Sequence, residues 1–297
     1  MTEFMCRVGL KMELGEGPLW DAAAGALYWV DIINRQVHRL DTTRDVHSVA
    51  LHDEEITCLA RHADGGLIAA ARSGLWRLSA AGHKQEKLVD IPEDTTHHRC
   101  NDGGVDPAGR FWIGTMDERV TTPDSNLYAY DGVDLTPRKS GITISNGLAF
   151  SPDGQWLYHT DTPTRVIDRH VFDANTGTIG PAEPWVDLNT LDIDGHPDGA
   201  AVDTAGHYWC ALFGGSAIAR FSPQGELVHT YPIPALNPTM PAFGGTDRRT
   251  LFVTTARENM SHDQLAAAPQ SGSMFAMSVD TPGQPVSLFQ PHRTGKL

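Results

Sequence analysis

Residues 144–161 read "ISNGLAFSPDGQWLYHTD". Two short apolar runs, Leu148 to Phe150 and Leu157 to Tyr158, flank Ser-Pro-Asp-Gly. Pro and Asp-Gly mark a tight turn, so the stretch reads as an antiparallel hairpin. Its first strand opens on Asn146 and Gly147. Asparagine is a poor strand former and glycine weakens a strand interior, so this entry needs a reason of its own.

The hairpin recurs along the whole chain. Its second run appears six times, as "LYWVD" from Leu27, "LIAAA" from Leu67, "FWIGT" from Phe111, "LYHTD" from Leu157, "YWCAL" from Tyr208 and "LFVTT" from Leu251. The spacing is about 40 to 50 residues, the range of propeller blades. A strand and turn precede each run: "LWDAAAG", "ARHADGG", "VDPAGR", "FSPDGQ", "VDTAGH" and "GGTDRR". A polar gap and a third strand follow: "QVHRLD", "GLWRLS", "NLYAYD", "RVIDRHVFD", "AIARFS" and "SMFAMSVD". No segment keeps a 3.6-residue period, except a short turn at "SHDQLAAAP". These units predict an all-β fold, a six-bladed β-propeller of four-stranded antiparallel blades, as one domain over 1–297. The opening "FMCRVGLKMEL" has no unit of its own. It is expected to supply the outer strand of the last blade and close the ring.

In a propeller the first residue of each innermost strand sits near one mouth of the central channel. Counting back four from Trp20, Val105, Phe150 and Val202 gives Glu16, Asn101, Asn146 and Asp198. Four of six units thus place an oxygen-bearing side chain in one register; the others offer Ile56 or Thr57 and Met240 or Pro241. Gly17, Gly147 and Gly199 follow three of the four, where the backbone has to pass close to something, and Asp102 follows the fourth. Two carboxylates and two amides suit one hard divalent cation. So few protein oxygens leave coordination positions open, as metal-assisted hydrolysis requires.

Composition narrows the alternatives. Net charge is −14, from 23 basic and 37 acidic residues, with no Lys/Arg cluster. That argues against nucleic-acid and anionic-membrane partners. The first residues show no apolar signal segment, and no run approaches 18 apolar residues, so a cytoplasmic protein is expected. Cys6, Cys58, Cys100 and Cys210 lack CxxC spacing and read as buried, reduced thiols. His97, His98, His159 and His196 lie near strand mouths, His196 two residues from Asp198; as ligands or bases they are secondary candidates. Asp31 and Asp161 end central strands as packing or supporting carboxylates, and Trp20, Trp112, Trp156 and Trp209 read as inter-blade packing. G-x-S-x-G is absent, which disfavours a serine esterase.

The phrases "LGEGPLW", "RCNDGGVDPAGRFWIGTM", "ISNGLAFSPDG" and "HPDGAAVDTAGHYW" resemble the senescence-marker-protein/regucalcin/gluconolactonase family. "LYHTD", "FSPQGE" and "FVTTAR" resemble its bacterial sugar lactonases more than its vertebrate member. The resemblance implies a six-bladed propeller with one divalent metal at the channel and hydrolysis of a small-molecule sugar (aldono-)lactone. It implies Glu16, Asn146 and Asp198 as metal ligands and Arg99 and Asn101 as substrate-binding residues. It also implies a substrate-binding carboxylate after the "GTM" turn, where Glu118 stands next to the strictly aligned Arg119. The cation, any of Ca, Zn, Mn, Mg or Fe, would act as Lewis acid. Asp198 would be the base for an attacking water. The alternatives are a phosphotriesterase or aryl-ester lactonase, with Phe213, Phe243, Met116 and Met240 at the mouth, or a non-catalytic calcium-binding propeller. Specificity is assigned to the loops "MDERVTTPDSN", "TPTRVID" and "LFGGSA"; Arg99, Arg119 and Arg165 would tolerate an acidic substituent on the substrate.

Overall fold

The computed structural model describes residues 3–291; residues 1, 2 and 292–297 of the expected 1–297 domain lie outside them. Six antiparallel sheets start from the inner strands Gly15–Asp21, Ile56–His62, His98–Val105, Ser145–Phe150, His196–Val202 and Asn237–Gly244. Each inner strand touches the inner strands on both sides, and the first meets the sixth. The fold is a closed six-bladed β-propeller.

The second strands Ala26–Asp31, Leu67–Ala71 and Phe111–Asp117 are buried at every position. They have sheet neighbours on both edges and blades on both faces, so they read as continuous apolar runs without alternation. Outer strands such as Lys84–Asp90 are largely exposed and polar. Apolar clusters lie between adjacent blades. One joins Tyr28 and Val30 to Leu59 and Ala69; another joins Trp20 and Trp29 to Phe252 and Met274, across the closure of the ring. Trp112 packs edge-on against Phe150 and Phe172 of the next blade, and Trp209 against Phe243. Each such buried aromatic contributes roughly 1.5–3 kcal/mol of transfer free energy. The indole N–H groups of Trp112 and Trp209 are satisfied by Asp106 and Asp203, at 2.9 and 3.1 Å.

Met5–Val8 pairs with Met274–Ser278 as the outer strand of the sixth blade. That sheet is built from both ends of the chain, which leaves no free edge at the joint. A short helix, His262–Ala267, occupies "SHDQLAAAP" and starts in a capping box between Ser261 and Gln264.

Two blades depart from four strands. In the fourth, Val166–Asp173 pairs with two short strands, Thr178–Ile179 and Glu183–Asp187. In the second, Leu288–Phe289 adds a parallel strand to Ile56–His62. That addition belongs to a C-terminal strap. It crosses the turn end of the channel, bonding in succession to Arg249, Thr204, Arg248, Phe150, Ala63 and Gly109. The thiols also divide: Cys58, Cys100 and Cys210 are buried, but Cys6 is exposed, because it lies on the outermost strand of its blade.

Candidate active site

Inner strands begin, and second strands end, at the mouth opposite the strap. Near its start every inner strand slips register by one residue: between Glu16 and Leu19, Ile56 and Cys58, Cys100 and Gly103, Asn146 and Ala149, Pro197 and Ala200, and Pro238 and Met240. A bulge leaves one residue unpaired and re-aims its neighbours. Glu16, Asn101, Asn146 and Asp198 stand on or beside these bulges. Gly147 carries φ 66°, and a Cβ there would lie 2.5 Å from the Tyr208 hydroxyl and 3.3 Å from the Asp198 carbonyl oxygen. Only glycine fits that turn, which explains the sequence Asn-Gly at a strand mouth.

The mouth opens on a cavity of about 240 Å³ lined by Glu16, Arg99, Asn101, Glu118, Asn146 and Asp198 together. Met116, Phe213, Thr162, Glu258 and Asn259 complete much of the wall. A hydrogen-bonded chain runs round the rim. Arg99 Nη1 donates to Asn101 Oδ1 at 2.7 Å, and Asn101 Nδ2 donates to Asn146 Oδ1 at 2.9 Å. Asn146 Nδ2 donates to Thr162 Oγ1 at 2.9 Å, and Thr162 Oγ1 donates to the Pro197 carbonyl at 2.9 Å.

The acidic groups are under stress. Burial, followed by the charge of Asp102, pushes Glu16 up to about 8, against the Gly17 N–H that bonds Oε2 at 2.8 Å. Burial and then the charges of Glu16 and Asp102 push Asp198 well above the carboxylate range. Burial raises Asp102 to about 6, held back by the Leu148 and Gly103 amides at 3.0 and 2.7 Å. Among the described residues Glu16, Asp198 and Asp102 make no ion pair, which leaves a deficit of positive charge at the centre of the ring. Glu16, Asp198 and the Asn146 amide oxygen, which keeps a second lone pair, form a donor set that fits a hard divalent cation. Among the described residues no three His, Cys, Asp or Glu side chains converge as a metal site; the third oxygen of this set is an amide.

The ambiguity after "GTM" has a geometric answer. Buried Asp117 accepts the Arg119 amide at 3.1 Å and its Nε at 2.8 Å, and Thr121 Oγ1 at 2.9 Å, making a tight turn. That turn holds Arg119 outside and leaves Glu118 on the cavity wall.

Several secondary expectations fall away from the cavity. His98 pairs with Asp124 at 2.9 Å, buried His159 bonds Ser145 Oγ at 2.8 Å, and His196 is exposed. None of the four histidines lines the cavity. The Arg165 guanidinium donates to the Gly195, Leu188 and Ile193 carbonyls, so of the three arginines proposed for an acidic substituent only Arg99 is on the wall. Met116 and Phe213 line the mouth, whereas Met240 and Phe243 line a separate cavity beneath the strap with Trp20 and Gln284. Asp31 and Asp161 accept the amides of Glu13 and Leu14 and of Thr143 and Ile144, tying each second strand to the start of its own inner strand.

Glu258 and Thr162 were not singled out from the sequence as site residues. A signal was available: both follow a second strand, as Glu118 does, and second strands end at the mouth.

The family model for the SMP-30/Gluconolactonase/LRE-like region matches residues 14–257. The chain is 41% identical over 285 residues to a 6-deoxy-6-sulfogluconolactonase of Pseudomonas putida, covering 96% of this chain and 97% of that protein. It is 31% identical to a pentonolactonase of Haloferax volcanii, covering 94% and 95%. Among solved structures, a calcium-binding regucalcin from Agrobacterium tumefaciens superposes with a TM-score of 0.92 at 32% identity, over 97% of this chain and 98% of that one. The matched segment runs from the first inner strand to the end of the last second strand, and so contains the whole ring of bulged strands. The chain belongs to the SMP-30/gluconolactonase/LRE-like family.

Proposed function

We propose that this protein hydrolyses a sugar lactone to the open hydroxy acid at the channel mouth, with a divalent cation held by Glu16, Asn146 and Asp198. The observation that carries the reading is the convergence of these three oxygen donors with Arg99, Asn101 and Glu118 on one cavity. It agrees with the activities of the two lactonase relatives.

The bound cation supplies Lewis-acid polarisation of a lactone carbonyl. Asp198, which lines the cavity with the other oxygen donors, would accept the proton of the attacking water. Arg99 donates to ring and exocyclic hydroxyls, and Asn101 Oδ1 and Glu118 accept from them, since both Asn101 amide hydrogens are held by the Ser145 carbonyl and Asn146 Oδ1. Met116 and Phe213, with Leu14, Val120 and Ile144, form the apolar part of the wall and limit water on that side. Arg99, Asn101 and Glu118 on the same wall supply hydroxyl partners that an aryl ester would leave unused. Calcium is one candidate cation, since the regucalcin neighbour is a calcium-binding protein.

The test is pH-stat hydrolysis of an aldonolactone panel, including a pentonolactone and 6-deoxy-6-sulfogluconolactone, with and without chelator, joined to metal analysis. Acid release that stops on chelation and returns with one cation is expected. Chelator-resistant release would remove the metal from the reading, and no release from any lactone would remove the lactonase.

A further inference from the structure

Arg72 was not among the residues singled out from the sequence, and it does not line the cavity. It directly follows the second strand of the second blade, Leu67–Ala71, and so stands at the mouth. Its guanidinium forks onto Glu118, Nη1 to Oε2 at 2.9 Å and Nη2 to Oε1 at 2.6 Å. From behind, Glu55 Oε2 accepts Nε at 2.9 Å and the Thr95 carbonyl accepts Nη1 at 3.0 Å. The arginine is therefore clamped on one side and grips an exposed carboxylate on the other.

Two cations contend for Glu118. Arg72 holds both carboxylate oxygens in the planar fork that suits them, whereas Arg99 Nε stands 3.7 Å from Oε1. The bidentate pair prevails, because attraction falls with distance and fork geometry adds two directed hydrogen bonds. Arg99 consequently keeps its Nη1 on Asn101 Oδ1, at 2.7 Å. Without Arg72, the nearest cation for Glu118 is Arg99, and closing that gap would draw the guanidinium from Asn101 and cover the part of the wall that both residues present to the cavity.

We propose that Arg72 is a positioning residue for substrate: its bidentate clamp holds Glu118 at the cavity wall as a hydroxyl acceptor and keeps Glu118 from neutralising Arg99. The clamp rests on the lactonase reading, since it needs a hydroxylated substrate to act on. It affects recognition of hydroxyls and leaves the reacting carbonyl to the Glu16–Asn146–Asp198 end of the site. A purely structural knot, joining the segments that carry Glu55, Thr95 and Glu118, would behave differently: its loss would lower melting temperature and act whether or not Glu118 is a carboxylate.

The experiment is a double-mutant cycle of Arg72→Gln and Glu118→Gln, measured on the metal-loaded protein with a polyhydroxylated aldonolactone and with unsubstituted δ-valerolactone. Arg72→Gln is expected to raise KM for the aldonolactone about tenfold, the scale of one lost charge-assisted contact, with kcat little changed and δ-valerolactone hydrolysis unaffected. In the Glu118→Gln background the same substitution should add nothing to KM. Arg72→Lys keeps the charge without the fork and should fall between. If Arg72→Gln does not fold, Arg72→Lys in the same cycle decides. An equal KM effect in both Glu118 backgrounds, or a parallel loss of kcat on both lactones, overturns the clamp. A wild-type protein inert to every lactone overturns the lactonase reading and the clamp with it, whereas an active wild type with an additive cycle overturns the clamp alone.

Discussion

Asn101 Nδ2 donates to Asn146 Oδ1 across the boundary between the third and fourth blades, at 2.9 Å. The other end of the Asn146 amide donates to Thr162 Oγ1, also at 2.9 Å. An amide has an oxygen end and a nitrogen end of similar shape, and only the oxygen can serve a cation. These two bonds together decide which end faces the channel. Thr162→Val removes the acceptor while keeping the volume, so the amide can turn over. Cation affinity should fall about tenfold, the lower end for loss of a supporting hydrogen bond at a metal site. Calorimetric titration of the metal-free variant measures it; unchanged affinity would mean the Thr162 bond has no part in orienting Asn146.

Glu16, Asp102 and Asp198 form a buried acidic cluster: burial raises each of them, the charges of Glu16 and Asp102 raise Asp198 further, and that of Asp102 raises Glu16. Asp198→Asn removes one of those charges at constant size. The metal-free variant should therefore melt higher than the metal-free wild type, because a repulsive buried charge is gone. It should also lose lactone turnover and the upward shift in melting temperature that divalent cation gives the wild type. Melting curves with and without cation, beside the pH-stat assay, test both halves. Turnover near the wild-type level would remove Asp198 as the base.

The same burial, reinforced by neighbouring acidic charge, sets a pH dependence. Glu16 holds its proton up to about 8 in the fold, against an ordinary value of 4.5 when the chain is unfolded. Between these two pH values the folded protein binds more protons than the unfolded one, so stability declines as pH rises. Asp198, raised in the same direction, adds to the trend. Chelated protein should therefore lose melting temperature steadily from about pH 5 to pH 8. Saturating cation should flatten the slope, since the cation replaces the protons, and its affinity should rise with pH over the same window. A slope that persists under saturating cation would place its origin elsewhere.

The repeat and the register of oxygen-bearing side chains at the channel mouth were legible because they are local. Each blade repeats turn chemistry and an apolar run, and the residue four before the strand end recurs at Glu16, Asn101, Asn146 and Asp198. Arg72, Glu118 and Glu258 were harder to read because their meaning is set between blades. Arg72 follows the second strand of the second blade and Glu118 that of the third, 46 positions apart, and nothing in either stretch announces the other. The turn around Asp117 shows the same limit. Counting positions selects Arg119, but the four bonds that Asp117 accepts from Arg119 and Thr121 turn Glu118 inward instead. Arg165 failed as a substrate contact for a related reason: neighbouring backbone carbonyls already occupy its donors.

The C-terminal strap offers a way to separate scaffold from site. Phe289 is 1% exposed, stacks on Tyr130 with ring centroids 5.7 Å apart and meets His62 edge-on at 5.2 Å. It anchors the parallel strand Leu288–Phe289 to the second blade at the turn end of the channel, while the donor ring lies at the opposite mouth. Phe289→Ala leaves a cavity under the strap and should destabilise the fold by about 3–5 kcal/mol. Because inner strands contact one another round the whole ring, the bulges at the mouth keep their geometry so long as the ring stays closed. The variant should thus unfold at lower denaturant concentration yet retain wild-type kcat/KM and cation affinity well below its melting temperature. Denaturant titration and steady-state kinetics on the same preparation test this. A kinetic defect matching the stability loss would show that the strap and the mouth are mechanically coupled through the channel.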